Sequence, residues 1–458
     1  MYKVISRHCT NFKKRFSALQ NSNSRILNWS KTFYLPDAVA NLSSKITNIY
    51  PKAGKYATNV FTALLTNAFV LKFMERKDIN VITHLKNLKN VLIIGDLNIG
   101  DAVNLQGVAL AIKELFPQTT VSYAINKKAY SLIAPNPHID RVFNVLSYDK
   151  NESVRAINFL INSNDYDLII NLCPFFKKSF ILGKRLPPFI DYGAFSMKQI
   201  YNEMWTKKLN HISYQAFSYF YDLFSKKKNY HNSKIKDTEF TPIIYLSNNA
   251  VHNAKSFLFE NNIIGNNKRL ILFNPDATSL YTLIPIEIQL SILKTLSESN
   301  IVKTILLTPG HTFLGIENKL LNSLPDQSKI IPIPKDMQID VYAALIDFCD
   351  VFITADTGTM HIAAAKKIRE SGEELRNRTA LFSVFGATST RMYGYDSYSK
   401  DILKSGQNAP SKLYVSNAPC KNITCTNKKA KSCKRIRCFS GINGLEIAKD
   451  ILDYLVDG

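Results

Sequence analysis

A strand, a helix and a second strand follow one another over residues 90–125, and this unit constrains the fold more than any other feature. Residues 91–94 form a short, continuous apolar run, the pattern of a strand buried on both faces of a sheet. Asp101 opens a helix with apolar residues at helical spacing, and a second strand covers 120–125. The unit predicts two neighbouring parallel strands joined by a right-handed crossover.

The same alternation continues along the chain and then restarts. Further strands are predicted at 141–145 and 167–172, before a polar linker at 225–240. After the linker we predict strands at 270–273, 302–308, 329–333, 351–354 and 380–385, with helices at 286–299, 314–323, 339–348 and 360–367. The pattern predicts two doubly wound, Rossmann-like α/β domains that face each other across a cleft.

This alternation divides the 458 residues into four parts. We expect a helical N-terminal extension at 1–88, an N-terminal Rossmann-like domain at 89–236, a C-terminal Rossmann-like domain at 237–415, and a Cys-rich segment with a terminal helix at 416–458.

The charge is strongly basic, with 58 Lys and Arg against 36 Asp and Glu. Residues 1–36 and 402–445 contain basic residues and no acid, and residues 174–236 carry twelve basic residues against three acids. Such a balance favours an anionic partner, either a phosphorylated substrate or an anionic membrane surface. No nucleic-acid motif is present, so we expect no nucleic-acid partner.

The beginning of the chain lacks the pattern of a secretion signal, so we expect a cytoplasmic protein. Residues 57–73 are the most apolar stretch, but polar residues interrupt it and it is short for a bilayer span. An amphipathic helix fits this stretch better. We therefore expect the extension to attach the protein peripherally to an anionic inner-membrane surface.

Gly100 and Asp101 form the first candidate site, at a strand-to-helix turn where open parallel sheets bind ligands. Glycine lets the backbone approach a ligand closely. Asp101 suits either of two roles, capping the helix or accepting a proton as a general base. The Gly-x-Gly-x-x-Gly fingerprint is absent, which argues against a nicotinamide enzyme.

A second candidate site follows the strand at 351–354, where a polar loop begins a helix. Backbone N–H groups and hydroxyls of this loop suit an anion such as phosphate, whereas a carboxylate suits a sugar hydroxyl. Helix capping and a satisfied, partly buried histidine are the structural alternative. The loop residues are Asp356, Thr357, Gly358, Thr359, Met360 and His361.

Thr278 and Ser279 follow the first strand of the second domain and form the third candidate site. Their hydroxyls are suited to donate to phosphate in the same crevice. Ordinary turn chemistry is the alternative.

Four cysteines near the end of the chain form a candidate structural metal site for zinc or iron. Free thiols or disulfides are the alternatives, because the spacing is wider than in common zinc knuckles. The four are Cys420, Cys425, Cys433 and Cys438.

The order of these motifs resembles glycosyltransferase family 9, the ADP-heptose:lipopolysaccharide heptosyltransferases. The resemblance covers residues 90–458. The loop at 356–361 with its Ala-rich helix is its most specific element, and further similar segments are 99–103, 111–145, 274–278, 385–388 and the closing segment from Pro419 to Ile442.

The resemblance implies a GT-B fold and inverting transfer from a nucleotide-sugar donor, with no cofactor required for catalysis. Asp101 would be the general base. The loop at 356–361 would hold the donor, ADP-heptose above all, and Thr278 would contact phosphate. The N-terminal domain would bind an anionic glycolipid acceptor such as the lipopolysaccharide inner core.

Two positions depart from the family pattern. The family carries a Lys shortly before a Trp-Pro pair, and residues 279–285 contain no Lys. Residues 104–107 replace the family's His-Thr-x-Pro. Arg391 is a candidate substitute for the missing cation. Another nucleotide-sugar, a protein acceptor, or a scaffold protein without activity are the alternative functions.

Overall fold

The structure is a computed structural model of the full chain, and it divides into two units, Met1–Phe73 and Met74–Gly458. It describes residues 68–85, 88–95, 98–147, 149–174, 176, 178–181, 187–193, 196, 210–228, 241–263, 269–375, 379–397, 410–417 and 438–457. Most of the apolar stretch at 57–73 lies outside these residues. No described helix is long and apolar enough to cross a membrane.

Among the described residues, five parallel strands form the first sheet. The strands are β1 (Asn90–Ile94), β2 (Thr120–Asn126), β3 (Arg141–Leu146), β4 (Leu168–Asn171) and β5 (Phe189–Asp191). Their order across the sheet is β3-β2-β1-β4-β5. The helices of this part are α1 (Ala68–His84), α2 (Ile99–Leu105), α3 (Gly107–Leu115), α4 (Tyr130–Ile133), α5 (Lys150–Ser163) and α6 (Ile212–Lys228), with 3-10 turns at Lys127–Ala129 and Lys178–Phe180.

A small parallel pair joins β6 (Ile243–Leu246) to β11 (Lys366–Arg369), and six further described strands form the second parallel sheet. These six are β7 (Leu270–Phe273), β8 (Thr304–Leu307), β9 (Ile330–Pro332), β10 (Val351–Ala355), β12 (Ala380–Phe385) and β13 (Ser411–Val415). Their order is β13-β12-β10-β7-β8-β9. The helices are α7 (Asn248–Glu260), α8 (Ile286–Glu298), α9 (Ile316–Leu321), α10 (Ile339–Ile346), α11 (Gly358–Ala364), α12 (Thr390–Tyr393) and α13 (Gly444–Asp457).

The predicted α/β class with two parallel sheets is confirmed, and several elements differ from the prediction. The helix that the pattern opens at Asp101 begins at Ile99, and a second helix starts at Gly107. The helix predicted at 360–367 spans Gly358–Ala364 and is followed by a strand from Lys366. The strands β5, β6, β11 and β13 were not predicted. The division at 88, 236 and 415 stays a prediction.

Residues from the surroundings of both sheets share one hydrophobic cluster. Val103 from α2 and Leu132 from α4 are buried among residues of β7, β10, α10 and α11. His138, after α4, reaches Tyr245 of β6, with its Nε2 atom 3.2 Å from the hydroxyl. Apolar burial is the main favourable term in folding, so this cluster holds the two halves of the second unit together close to the start of α2.

Candidate active site

The loops that follow β1 and β10 meet at one place. Gly100 shows how closely they approach: a Cβ atom there would lie 2.7 Å from the Cδ2 atom of His361 and 3.2 Å from the Cα atom of Gly358. Real Cβ atoms do not tolerate the first distance, so glycine is required by this contact. The first and second candidate sites therefore form a single site.

Two carboxyl groups lie in this site, one from each half. Asp101 accepts a hydrogen bond from the Nδ2 atom of Asn98 at 3.2 Å, and burial raises its pKa. Burial also raises the pKa of Asp356 to about 6, and the negative charge of Asp101 adds to this effect while the hydroxyl of Thr388 opposes it. An ionised carboxylate with a raised pKa is a competent proton acceptor near neutral pH.

A chain of polar side chains stiffens the loop after β10. Asn274, directly after β7, donates through Nδ2 to the hydroxyl of Thr354 at 3.2 Å and of Thr359 at 2.9 Å. The hydroxyl of Thr357 lies 2.8 Å from that of Thr359 and 3.2 Å from that of Thr354. The loop and the end of β7 are therefore held as one polar surface.

Met360 and His361 point away from this polar surface. The side chain of Met360 is fully buried in the shared hydrophobic cluster, and its backbone N–H donates to the carbonyl of Thr357 at 3.1 Å. His361 is also buried, with Nδ1 at 3.0 Å from the hydroxyl of Tyr395. Burial lowers the pKa of His361 to about 3, so the ring is neutral at physiological pH and contributes no positive charge toward an anion.

Thr278 and Ser279 extend the site along the edge of the second sheet. Thr278 is exposed, and the hydroxyl of Ser279 lies 3.0 Å from that of Thr282. Just before them, the carboxylate of Asp276 accepts three backbone hydrogen bonds of 2.8–3.0 Å from the loop His311–Phe313. Asp276 therefore fixes this loop beside Thr278, a role that its sequence context did not indicate.

The proposed metal ligands are only partly described. Cys420, Cys425 and Cys433 lie outside the described residues. Cys438 is buried in the hydrophobic cluster beneath α8 and α13. Across the described ranges there is no group of three metal-binding side chains. Arg391, the candidate substitute for the missing Lys, is exposed on α12.

Two residues of the site were missed by sequence reasoning. The hydroxyl of Tyr395 donates to the Oδ1 atom of Asn104 at 3.2 Å and also contacts His361. Asn104 was detectable, because it follows Asp101 by three residues and lies on the same face of α2. Tyr395 has no local signal, since its role depends on contacts 291 and 34 residues away.

Two all-parallel α/β sheets whose strand ends meet at one acidic, hydroxyl-rich site are the architecture of the GT-B fold. The chain belongs to glycosyltransferase family 9 (heptosyltransferase), whose family model matches residues 154–430. The predicted resemblance and the predicted enzyme class are thereby confirmed. No curated protein matches the chain.

Solved structures agree with this fold. A glycosyl transferase family 9 protein from Veillonella parvula is 14% identical, with a TM-score of 0.56, and the match covers 81% of this chain and 98% of that one. The E. coli ADP-heptose LPS heptosyltransferase II is 15% identical, with a TM-score of 0.50, over 79% of this chain and 98% of that one.

Proposed function

We propose that this glycosyltransferase moves a heptose from ADP-heptose, with inversion, to an anionic glycolipid such as the lipopolysaccharide inner core. The donor and the acceptor class are those in the name of the E. coli ADP-heptose LPS heptosyltransferase II, whose fold is similar. The strong excess of basic residues suits both molecules, because both carry phosphate or other negative charge.

The observation that carries the proposal is the position of Asp101. Its carboxylate lies in the first turn of α2 on the acceptor half, and the preceding Gly100 packs directly against Gly358 and His361 of the donor half. At this contact the negative charge of Asp101 also raises the pKa of Asp356. In the proposed reaction Asp101 takes the proton of an acceptor hydroxyl. The freed oxygen attacks the anomeric carbon, and the bond from that carbon to the β-phosphate oxygen breaks, releasing ADP with the electron pair.

The donor is proposed to lie along the polar surface of the second half. Thr278 and Ser279 offer hydroxyls to the diphosphate, and the network of Asn274, Thr357 and Thr359 presents oxygens and hydroxyl groups to the sugar. Asp356 and Gly358 belong to the same loop, and the buried side chain of His361 supports this loop from the interior. The absence of Lys from residues 279–285 makes hydroxyl donors and Arg391 the proposed partners of the diphosphate charge.

The test is turnover with a panel of nucleotide-sugars and a lipid A–core acceptor, for the wild type and for Asp101→Ala. Loss of a general base lowers the rate about 10²–10⁴-fold, and donor binding is expected to be retained. Asp149→Asn is the matched control, because Asp149 caps α5 in the same half and lies in no candidate site. Undiminished turnover by Asp101→Ala would refute the general-base role.

The same panel separates the alternative functions. Turnover with a different nucleotide-sugar or with a protein acceptor would change the substrate assignment while keeping the enzyme class. Absence of turnover with every donor, together with retained ligand binding, would favour a scaffold protein. The absence of the family Lys from residues 279–285 is the observation that supports the scaffold alternative.

We also propose that the protein works in the cytoplasm, peripherally on the inner membrane, where a glycolipid acceptor resides. Residues 1–36 carry seven basic residues and no acid, which favours an anionic surface. Replacing these seven by Gln is expected to reduce co-sedimentation with anionic vesicles and to leave the weak binding to neutral vesicles unchanged. Equal binding of both forms to anionic vesicles would contradict this.

Zinc or iron at the cysteines is a separate proposal. A bound structural ion would be retained on purification and lost in the Cys425→Ser/Cys433→Ser variant. Elemental analysis that finds no stoichiometric metal in the wild type would refute it.

A further inference from the structure

We infer that Tyr395 is a positioning residue for the transfer reaction. Its hydroxyl connects α2, the helix that carries Asp101, to the loop at 356–361 that is proposed to hold the donor. The inference rests on the proposed function of the same site. Tyr395 itself is fully buried, so we expect it to act through its contacts with Asn104 and His361.

One hydroxyl group contacts both halves of the site. The Tyr395 oxygen lies 3.2 Å from the Oδ1 atom of Asn104 in α2, and 3.0 Å from the Nδ1 atom of His361 in α11. Asn104 follows Asp101 by three residues, so the two side chains project from the same face of the helix. A shift of Tyr395 therefore moves the turn of α2 that carries Asp101.

The single proton of the hydroxyl determines the tautomer of His361. Because Tyr395 donates that proton to Asn104, its oxygen can only accept from His361. The neutral ring must then carry its proton on Nδ1, which leaves Nε2 as an acceptor. Burial keeps the ring neutral and keeps Tyr395 protonated, since it lowers the pKa of His361 and raises that of Tyr395.

Neighbouring rings prevent the tyrosine from turning away. His211 lies with its ring centroid 4.7 Å from that of Tyr395 and 6.3 Å from that of His361. His211 is itself fixed, with Nδ1 at 2.7 Å from the hydroxyl of Ser213. Packed rings of this kind leave the hydroxyl one direction in which to point.

His361 transmits this constraint toward Asp101 through its contact with the neighbouring Gly100. Its ring lies against Gly100, the residue immediately before Asp101, with no room for even a methyl group between them. A ring freed from Tyr395 would rotate about its side-chain bonds and displace Gly100. Misplacement of a reacting group by about 1 Å costs on the order of 10²-fold in rate.

Tyr395→Phe tests the inference, because it removes the hydroxyl and keeps the ring. We expect the single-turnover transfer rate to fall about 10- to 100-fold, with the KM for donor changed by less than about twofold, since no donor contact is lost. Tyr414→Phe is the matched control: it also loses a tyrosine hydroxyl bond, to Asp450 at 2.6 Å, away from the site. It is expected to lose stability and keep its rate.

A double-mutant cycle and a spectroscopic measurement complete the test. Asn104→Leu breaks the same bridge from the other side, and the double variant is expected to be no slower than the slower single variant. Nitrogen-15 NMR of the histidine rings should show a proton on Nδ1 of His361 in the wild type and a mixture of tautomers in Tyr395→Phe.

The inference would be overturned by an unchanged transfer rate in Tyr395→Phe, by strictly multiplicative effects in the cycle, or by a wild-type ring protonated on Nε2. Failure of the proposed function looks different. A wild type that transfers no sugar contradicts the function, whereas the NMR result still reports on the hydroxyl bridge in the same protein.

Discussion

Replacing Asp356 by Asn should stabilise the protein at neutral pH, because the folded state keeps a carboxylate where burial and Asp101 disfavour its charge. The sign follows from the raised pKa. The folded state binds the proton more tightly, so this carboxyl group favours folding below its ordinary pKa of 3.8. That contribution is lost as pH rises through about 6, and above that pH the folded state bears the full cost of the charge.

The magnitude follows from the difference between the two pKa values. Raising the pKa from 3.8 to about 6 corresponds to about 3 kcal/mol at pH 7.5. For a unit of this size, that free energy is roughly 4 °C in Tm. Asn cannot ionise and has nearly the same shape, so the variant should gain this stability at pH 7.5 and only a small fraction of it at pH 4.

The assay is thermal unfolding of the wild type and Asp356→Asn at pH 7.5 and pH 4. Asp326→Asn is a control with the opposite sign, because hydrogen bonds from Ser328 lower the pKa of the exposed Asp326. That variant should not gain stability at pH 7.5. If Asp356→Asn gains nothing at pH 7.5, or gains the same at both pH values, then the account of two mutually repelling, partly buried carboxyl groups is wrong.

Three further substitutions test other contacts. Gly100→Ala should destabilise the protein by about 1–3 kcal/mol and reduce transfer, because the added methyl group meets the ring of His361. Thermal unfolding and turnover of the same sample measure the two effects. A normal Tm together with normal turnover would contradict the close contact. Asp276→Ala frees three backbone N–H groups of the neighbouring loop, so ADP binding measured by calorimetry should weaken about tenfold and stability fall by about 3 kcal/mol. Lys367→Met leaves the charge of its buried partner Asp347 uncompensated. The free energy of unfolding measured in urea should fall by about 3–5 kcal/mol. Adding Asp347→Leu should recover most of that loss, and a double variant as unstable as the single one would refute the ion-pair argument.

Much of the fold was predictable because its strands can be recognised locally. The apolar runs at Asn90–Ile94, Leu270–Phe273 and Ala380–Phe385 are buried on both faces, and continuous hydrophobicity is the signature of that environment. Their polar ends then mark the crevice, since parallel sheets bind ligands at their carboxyl edges. Residues 100–101 and 356–361 each follow a parallel strand of this type, so the position of both segments in the crevice was predictable.

What was not predictable depends on partners that are distant in sequence. The helix expected to run from Asp101 is interrupted at Gln106, whose side chain accepts a buried hydrogen bond from Asn136 at 2.9 Å. The strand at Lys366–Arg369 exists because β6 pairs with it, more than a hundred residues earlier in the chain. Periodicity reports how a segment is buried and carries no information about which distant group completes its hydrogen bonds.

The sequence also did not show which residues of the second candidate site are buried. Met360 and His361 belong to the same motif as Thr357 and Thr359, yet they face the core while the threonines form the polar network. A short helix places successive residues on different faces, so neighbours in a motif can serve different purposes. The motif identifies where the site is, and only the packing divides its members between surface and interior.

The shared hydrophobic cluster bears on how the protein is made. Val103 and Leu132 leave the ribosome more than a hundred residues before the strands that cover them are synthesised. Until β7 and β10 emerge, the first half exposes apolar surface beside Asp101 that a chaperone or a wrong partner can occupy. The contacts that bring the two carboxyl groups together therefore form late in biosynthesis, and the proposed active site is assembled only when the second half has folded.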